Sequence, residues 1–213
     1  MLSLLFPPKC TLCGKILAKN ETDLCHNCRE NAPEFKKAKR NIPFIAHWTA
    51  LWYYKDNVRS SIKRFKFHNR RSYSAVYARH LALHLQSIDP DTYDLLTWVP
   101  VSALRRLKRG YDQSALLAAD LGRELNLPAT HMLRKIRHTP PQSTIRDAAK
   151  RRINVLGAYK QVSDTPIAGK RIILVDDVVT TGATASECAR VLLSAGAKEV
   201  FFAAVAAAEY DKK

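Results

Sequence analysis

The sequence predicts an α/β protein: a largely parallel sheet with helices packed on it, preceded by a small cysteine-rich unit. Three observations predict this. From about Ser72 onward, strand-like apolar runs alternate with helical stretches, the order that makes βαβ units. Ile172–Val175 and Val200–Ala206 read as buried strands. Ahead of them, Met1 to about Pro33 holds four of the five cysteines and is short of periodic apolar residues. The chain therefore divides at residues 1–35 and 36–213.

Each element has a local reason. Ser72–Gln86 carries Ala75, Val76, Leu81, Leu83 and Leu85 at mixed helical spacing and ends at the Asp89-Pro90 turn. Asp94–Val99 reads as a strand stopped by Pro100. Asp112 suits the N-cap of a helix whose apolar face is Leu116, Leu117, Leu121 and Leu125. Gly169 precedes the Ile172–Val175 strand, and a helix follows over about Thr184–Ala195, closed by Gly196.

Composition narrows the function classes. Hydrophobic residues make up 46% of the 213, enough for a buried core, with no internal repeat. The longest uncharged apolar run, Val200–Ala208, is about half of what spans a bilayer. Met1–Phe6 lacks the basic lead and the length of a signal peptide. A cytoplasmic protein with no membrane insertion is expected. The net charge is +16, and all of the excess lies in Met1–Tyr159, with 28 basic against 12 acidic residues. Such asymmetry points to a polyanionic partner or an anionic substrate, against the alternative of a merely soluble basic surface.

Cys10-x2-Cys13 and Cys25-x2-Cys28 are two knuckles, each a tight turn that aims two sulfurs at one point. Together they supply a tetrahedral set of four thiolates, which suits Zn²⁺ in a closed, structural site. Gly14 relieves the backbone under the first knuckle. His26 is a surplus donor, and two unrelated thiol pairs or an iron–sulfur cluster are the alternatives. Cys188 reads as a small buried hydrophobe. The remaining histidines lack metal-ligand spacing.

The richest chemistry lies in Arg171–Thr184, RIILVDDVVTTGAT. In an open α/β sheet, ligands bind beyond the carboxyl ends of the strands. There Asp176 and Asp177 suit the vicinal hydroxyls of a ribose. The loop Val178, Val179, Thr180, Thr181, Gly182, Ala183 and Thr184, with the next helix's N-terminus, makes a nest for a phosphate dianion. An ordinary strand–turn–helix is the alternative. No Gly-Lys-Ser/Thr follows, so this is not a Walker loop.

The segment resembles the signature of type I phosphoribosyltransferases, which bind 5-phosphoribosyl 1-pyrophosphate (PRPP). The resemblance implies that Asp176 and Asp177 hold the ribose, that Thr180–Thr184 hold the 5′-phosphate, and that Mg²⁺ bridges ribose and pyrophosphate. Further blocks are similar to the ComF competence-protein family: Val99–Ser102, Arg105–Ser114, Thr139–Ser143 and Arg151–Tyr159, with the four-cysteine unit. Tyr111-Asp112 departs from that family's usual aromatic-Asn, which leaves the N-cap as the role of Asp112. The resemblance implies a Rossmann-like parallel-sheet core of the type I phosphoribosyltransferase class, with an N-terminal zinc ribbon. It also implies natural transformation, with single-stranded DNA handled beside a helicase-like ATPase.

Two basic blocks complete the reading. Pro100, Val101 and Ser102 are expected to form the pyrophosphate turn, with Arg105 and Arg109 as its guanidinium forks. Gln142, Ser143, Arg151 and Arg152 resemble a hood that closes over substrate, stiffened by Pro140-Pro141. Lys55–Arg71 has seven basic residues against one acid, with Phe65 and Phe67 interleaved. Lys63, Arg64, Lys66, Arg70 and Arg71 are therefore candidate single-strand contacts. An amphipathic helix burying Val58, Ile62 and Phe65 is equally consistent. The activity expected is phosphoribosyl transfer to an unidentified acceptor in a DNA-uptake protein; a nucleotide-salvage enzyme is the competitor.

Overall fold

A computed structural model describes residues 7–36, 41–87, 93–137, 139, 148–162 and 165–209, with the backbone alone at residues 148, 149, 151 and 152. The elements in chain order are α1 (His26–Asn31), β1 (His47–Tyr53), α2 (Asp56–Phe67), α3 (Tyr73–Gln86), β2 (Leu95–Trp98), α4 (Ala103–Arg109) and α5 (Gln113–Leu125). They continue with β3 (Leu133–Lys135), α6 (Ala148–Val155), β4 (Tyr159–Gln161), β5 (Arg171–Val179), α7 (Ala183–Ser194) and β6 (Glu199–Ala207).

Four strands form one sheet in the order β1-β6-β5-β2, every pair parallel. Leu95 lies opposite Ile172 and Trp98 opposite Val175, so β2 and β5 run out on the same edge of the sheet. Alternate side chains feed two cores. Leu96, Ile173, Val175, Phe201 and Val205 pack on one face with α2, α3 and α5. Leu95, Ile172, Leu174, Phe202 and Ala204 pack on the other with α7. Both faces are covered, which is why these strands are continuously apolar. A separate antiparallel pair, β3-β4, stands beside α7.

Three differences from the sequence reading matter. First, β1 is a full member of the sheet, within a region, Lys36–Arg71, whose sequence reads as basic with interleaved aromatics and not as a strand. Second, β5 does not end at the acids: Asp176 pairs in register with Ala204 and Val179 with Ala207. Third, the cysteine unit is no detached appendage. Leu12, Leu17, Leu24 and Cys28 share a core with Val58, Ile62, Phe65, Tyr77 and Leu81. Its exit segment also adds to the sheet's edge, where Phe35 N donates to Leu51 O and Tyr53 N to Pro33 O.

Candidate functional site

The four sulfurs of Cys10, Cys13, Cys25 and Cys28 lie within 4.8 Å of one another. Cys13 and Cys25 Sγ are 3.7 Å apart, close to the edge of about 3.8 Å of a tetrahedron with zinc–sulfur bonds near 2.3 Å. The donor set therefore fits Zn²⁺. Gly14 has φ +81°, as the turn beneath the first knuckle requires. His26 points away: its Nε2 lies 3.2 Å from Glu30 on the exposed side of α1. All five cysteines are free thiols, and Cys188 is fully buried.

The unit is fastened to α2 by polar contacts as well as by its core. Ser61 Oγ donates to Thr11 O, Arg64 Nη2 donates to Leu12 O at 2.6 Å, and Asn57 Nδ2 approaches Cys28 Sγ at 3.8 Å. Arg79 adds a two-pronged pairing with Asp23. Arg64, a candidate DNA contact by sequence, thus spends its guanidinium on the carbonyls of the first knuckle.

On the opposite side of α2 lies a cavity of about 880 Å³ at the carboxyl edge of the sheet. Its floor comes from the end of β5 and the loop after it, Asp176 through Ala185. One wall is the β2 exit, Val99, Pro100 and Val101, with Arg105, Lys108 and Arg109 of α4. The other is α2, which contributes Arg59, Lys63, Lys66 and Phe67. Seven basic side chains, Lys135 included, thus face two acids. That balance suits a ligand carrying several negative charges.

Local structure explains each position. Asp112 Oδ1 accepts from Ser114 N and Ala115 N, which caps α5 as expected. Its other oxygen accepts from Val101 N at 3.1 Å, so one half-buried carboxylate also holds the β2 exit turn. Arg105 and Arg109 sit on the short helix α4, which Ser102 caps at its start and Gly110, φ +77°, at its end. Arg105 Nη2 donates to Thr139 O, and Arg109 Nη1 donates to Gln113 Oε1 at 2.7 Å. Gly182 has φ +79°, and a Cβ there would meet Ile42 Cδ1 at 2.7 Å. Only glycine fits where the loop turns into α7.

The acids have unequal surroundings. Asp176 Oδ1 accepts from Ser114 Oγ at 2.9 Å and from Asp177 N at 2.8 Å. Burial and the neighbouring Asp177 push its carboxyl up to about 7, against the pull of Lys66. Asp177 Oδ1 is ion-paired to Lys66 Nζ at 2.7 Å, while its Oδ2 is buried with no partner among the described residues. Burial, aided by nearby Arg105, lowers Lys135 to about 8; its Nζ lies 2.7 Å from Thr139 Oγ1.

Of the candidate DNA contacts, then, Arg64 and Lys66 are engaged inside the molecule. Lys63, Arg70 and Arg71 are exposed. Arg71 also packs over the Tyr111 ring. Phe65 is fully buried, and Phe67 is 65% exposed. The sequence separated a phosphate pocket from a basic strip; the structure makes α2 a wall of that pocket. Gln142, Ser143, Pro140 and Pro141 lie outside the described residues, as do the side chains of Arg151 and Arg152. Among the described residues no helix is long and apolar enough to cross a membrane.

Comparison with known proteins agrees with this architecture. A phosphoribosyl transferase domain matches residues 112–213, and a double zinc ribbon domain matches residues 1–39. Competence protein F of Haemophilus influenzae is 31% identical over 200 residues, which cover 91% of this chain and 82% of that protein. Competence protein ComFC of Bacillus subtilis is 26% identical, covering 88% of this chain and 72% of that one. Among solved structures, the glutamine PRPP amidotransferase of B. subtilis is similar at 22% identity and a TM-score of 0.45, over 67% of this chain and 30% of that chain. The chain belongs to the Competence protein F (ComF) family, with a type I phosphoribosyltransferase fold behind an N-terminal double zinc ribbon.

Proposed function

We propose that the chain binds PRPP in this cavity and meets single-stranded DNA at the cavity's basic rim, acting in DNA uptake. The observation that carries the PRPP reading is the convergence of Asp176-Asp177, the Thr180–Thr184 loop and the Arg105/Arg109 helix on one cationic cavity. Asp177 Oδ2 has no partner among the described residues, which supports a role for this cavity-lining carboxyl in accepting a ribose hydroxyl once it turns toward the ligand. The N-terminus of α7 and the threonine hydroxyls suit the 5′-phosphate. The Pro100–Ser102 turn and the two guanidinium groups suit the pyrophosphate. Carboxylate oxygens are also the hard donors that Mg²⁺ prefers, so Asp176 and Asp177 fit that ion; when bound it would neutralise pyrophosphate charge.

In phosphoribosyl transfer the C1–O bond to pyrophosphate breaks, an oxocarbenium-like C1 forms, and a nucleophile closes on it. This chain's share is to orient the sugar and stabilise the departing anion. The DNA reading rests on the exposed Lys63, Arg70 and Arg71 beside the cavity and on relatives named for competence and for DNA utilization.

Titration calorimetry with PRPP and Mg²⁺ tests the pocket. Binding is expected for the native chain and should vanish in Asp176→Ala/Asp177→Ala; normal binding by the double variant removes the assignment. Affinity for a single-stranded oligonucleotide should fall steeply with salt. No detectable binding at low ionic strength sinks the DNA reading and leaves a nucleotide-salvage enzyme, detectable as pyrophosphate released with a free nucleobase.

A further inference from the structure

Phe67 stands out among the cavity's residues. It is the last residue of α2, lines the cavity mouth, and is 65% exposed. Phe65, two residues earlier, is fully buried, so the core beneath is already filled. Phe67 belongs to neither hydrophobic core. The Arg109 guanidinium lies 5.0 Å from its ring centroid. That guanidinium is itself held by Gln113, which is buried. The side chain of Arg109 therefore spans from the buried interior to the exposed ring.

A solvent-exposed phenylalanine clamped by a cation at the mouth of a charged cavity has a specific chemical use. Aromatic faces and guanidinium planes both stack on nucleobases, whatever the base. PRPP has no aromatic ring to stack and draws on the cavity's charges and hydrogen-bonding groups. A free nucleobase has no phosphates for the exposed Lys63 and Lys108, which line the same cavity as Phe67, or for the exposed Arg70 and Arg71 just beyond it in the chain. A base still attached to its sugar–phosphate strand matches both features at once.

We infer that Phe67, braced by Arg109, is a stacking shelf for one unpaired base of single-stranded DNA at the mouth of the Asp176-Asp177 cavity. This rests on the DNA reading above and goes further: strand and pocket meet at one place. The strand's phosphates run along Lys63, Arg70 and Arg71, and the stacked base faces the sugar site.

The test uses the full, zinc-loaded chain with a fluorescent thymidine decamer and with an abasic decamer of equal charge. In Phe67→Ala, affinity for the thymidine decamer should fall roughly tenfold or more, as loss of one stacked base does. The slope of affinity against salt should not change, because no cation is removed. Affinity for the abasic decamer should be unaltered, and Phe67→Trp should bind the thymidine decamer at least as well as the native chain. An iodouracil placed along the strand should photocross-link to residue 67. Equal losses on both decamers, or none on either, overturn the shelf while the DNA reading stands. Failure of the native chain to bind either decamer at low salt overturns both.

Discussion

Replacing Lys66 by methionine keeps the stem and removes the ammonium facing Asp177. The contact is short, 2.7 Å, and its side chains are 19% and 4% exposed. Asp177 would then keep one oxygen that lacks a partner among the described residues and lose the partner of the other, beside a second carboxyl. Removing one member of a buried pair costs roughly 3–5 kcal/mol. The partial exposure of Lys66 favours the low end, about 3 kcal/mol. For a chain of this length that is a fall of about 6–12 °C in the thermal midpoint.

The loss should depend on pH, with a definite sign. The carboxyl of Asp176 is raised to about 7 in the folded chain, against about 3.9 unfolded. The folded state then holds the extra proton, and stability declines as pH rises between those values. Lys66 opposes that rise; without it the folded value moves above 7 and the decline extends further. The deficit of Lys66→Met should therefore widen from pH 6 to pH 8. Calorimetric melts across that range, with Asp177→Asn and the double variant alongside, measure it. The double variant should recover more than about 1.5 kcal/mol of the summed losses, as close charge pairs do. A deficit below about 1 kcal/mol, flat with pH, would refute the ion pair as drawn.

Two further outcomes follow from packing. Because the cysteine unit shares its core with α2 and α3, chelating the metal should lower the thermal midpoint by about 10 °C or more. One zinc per chain in the native protein, measured by elemental analysis, accompanies that result; an unchanged melt after metal loss would show the ribbon to be independent. Gly182→Ala should cost about 2 kcal/mol, from a left-handed backbone and the clash with Ile42. Chemical denaturation measures this, and a cost under about 0.5 kcal/mol would show that the loop relaxes around the methyl.

Much of this site was legible because its signals are local. The four-cysteine spacing, the Asp112 cap, and the run from strand through acids and threonines to helix each lie within a few dozen residues. The hidden parts depend on distance along the chain. β1, HWTALWY, lies in residues 41–54, a short uncharged run between two basic segments, and its parallel partner is about 150 residues away, where no hairpin turn could announce it. Seven cations in Lys55–Arg71 read as one strip, since a sequence shows charge but not which way each side chain leaves the helix. Arg64 turns to the first knuckle and Lys66 to Asp177, two destinations decided by tertiary packing. Asp112 was legible as a cap but not as the group that also holds Val101, because its second oxygen reaches a turn eleven residues back.

The double duty of α2 has a consequence for how the chain tolerates change. Asn57, Ser61 and Arg64 meet the metal unit, and Arg59, Lys63 and Lys66 meet the cavity. At 3.6 residues per turn, one inserted residue rotates everything after it by about 100°. Such an insertion between Ser61 and Arg64 would swing Arg64 off the knuckle and Lys66 off Asp177 in a single event. Point substitutions can be absorbed one face at a time; a change of length cannot. The angular phase of this one helix is what keeps metal unit and cavity in step.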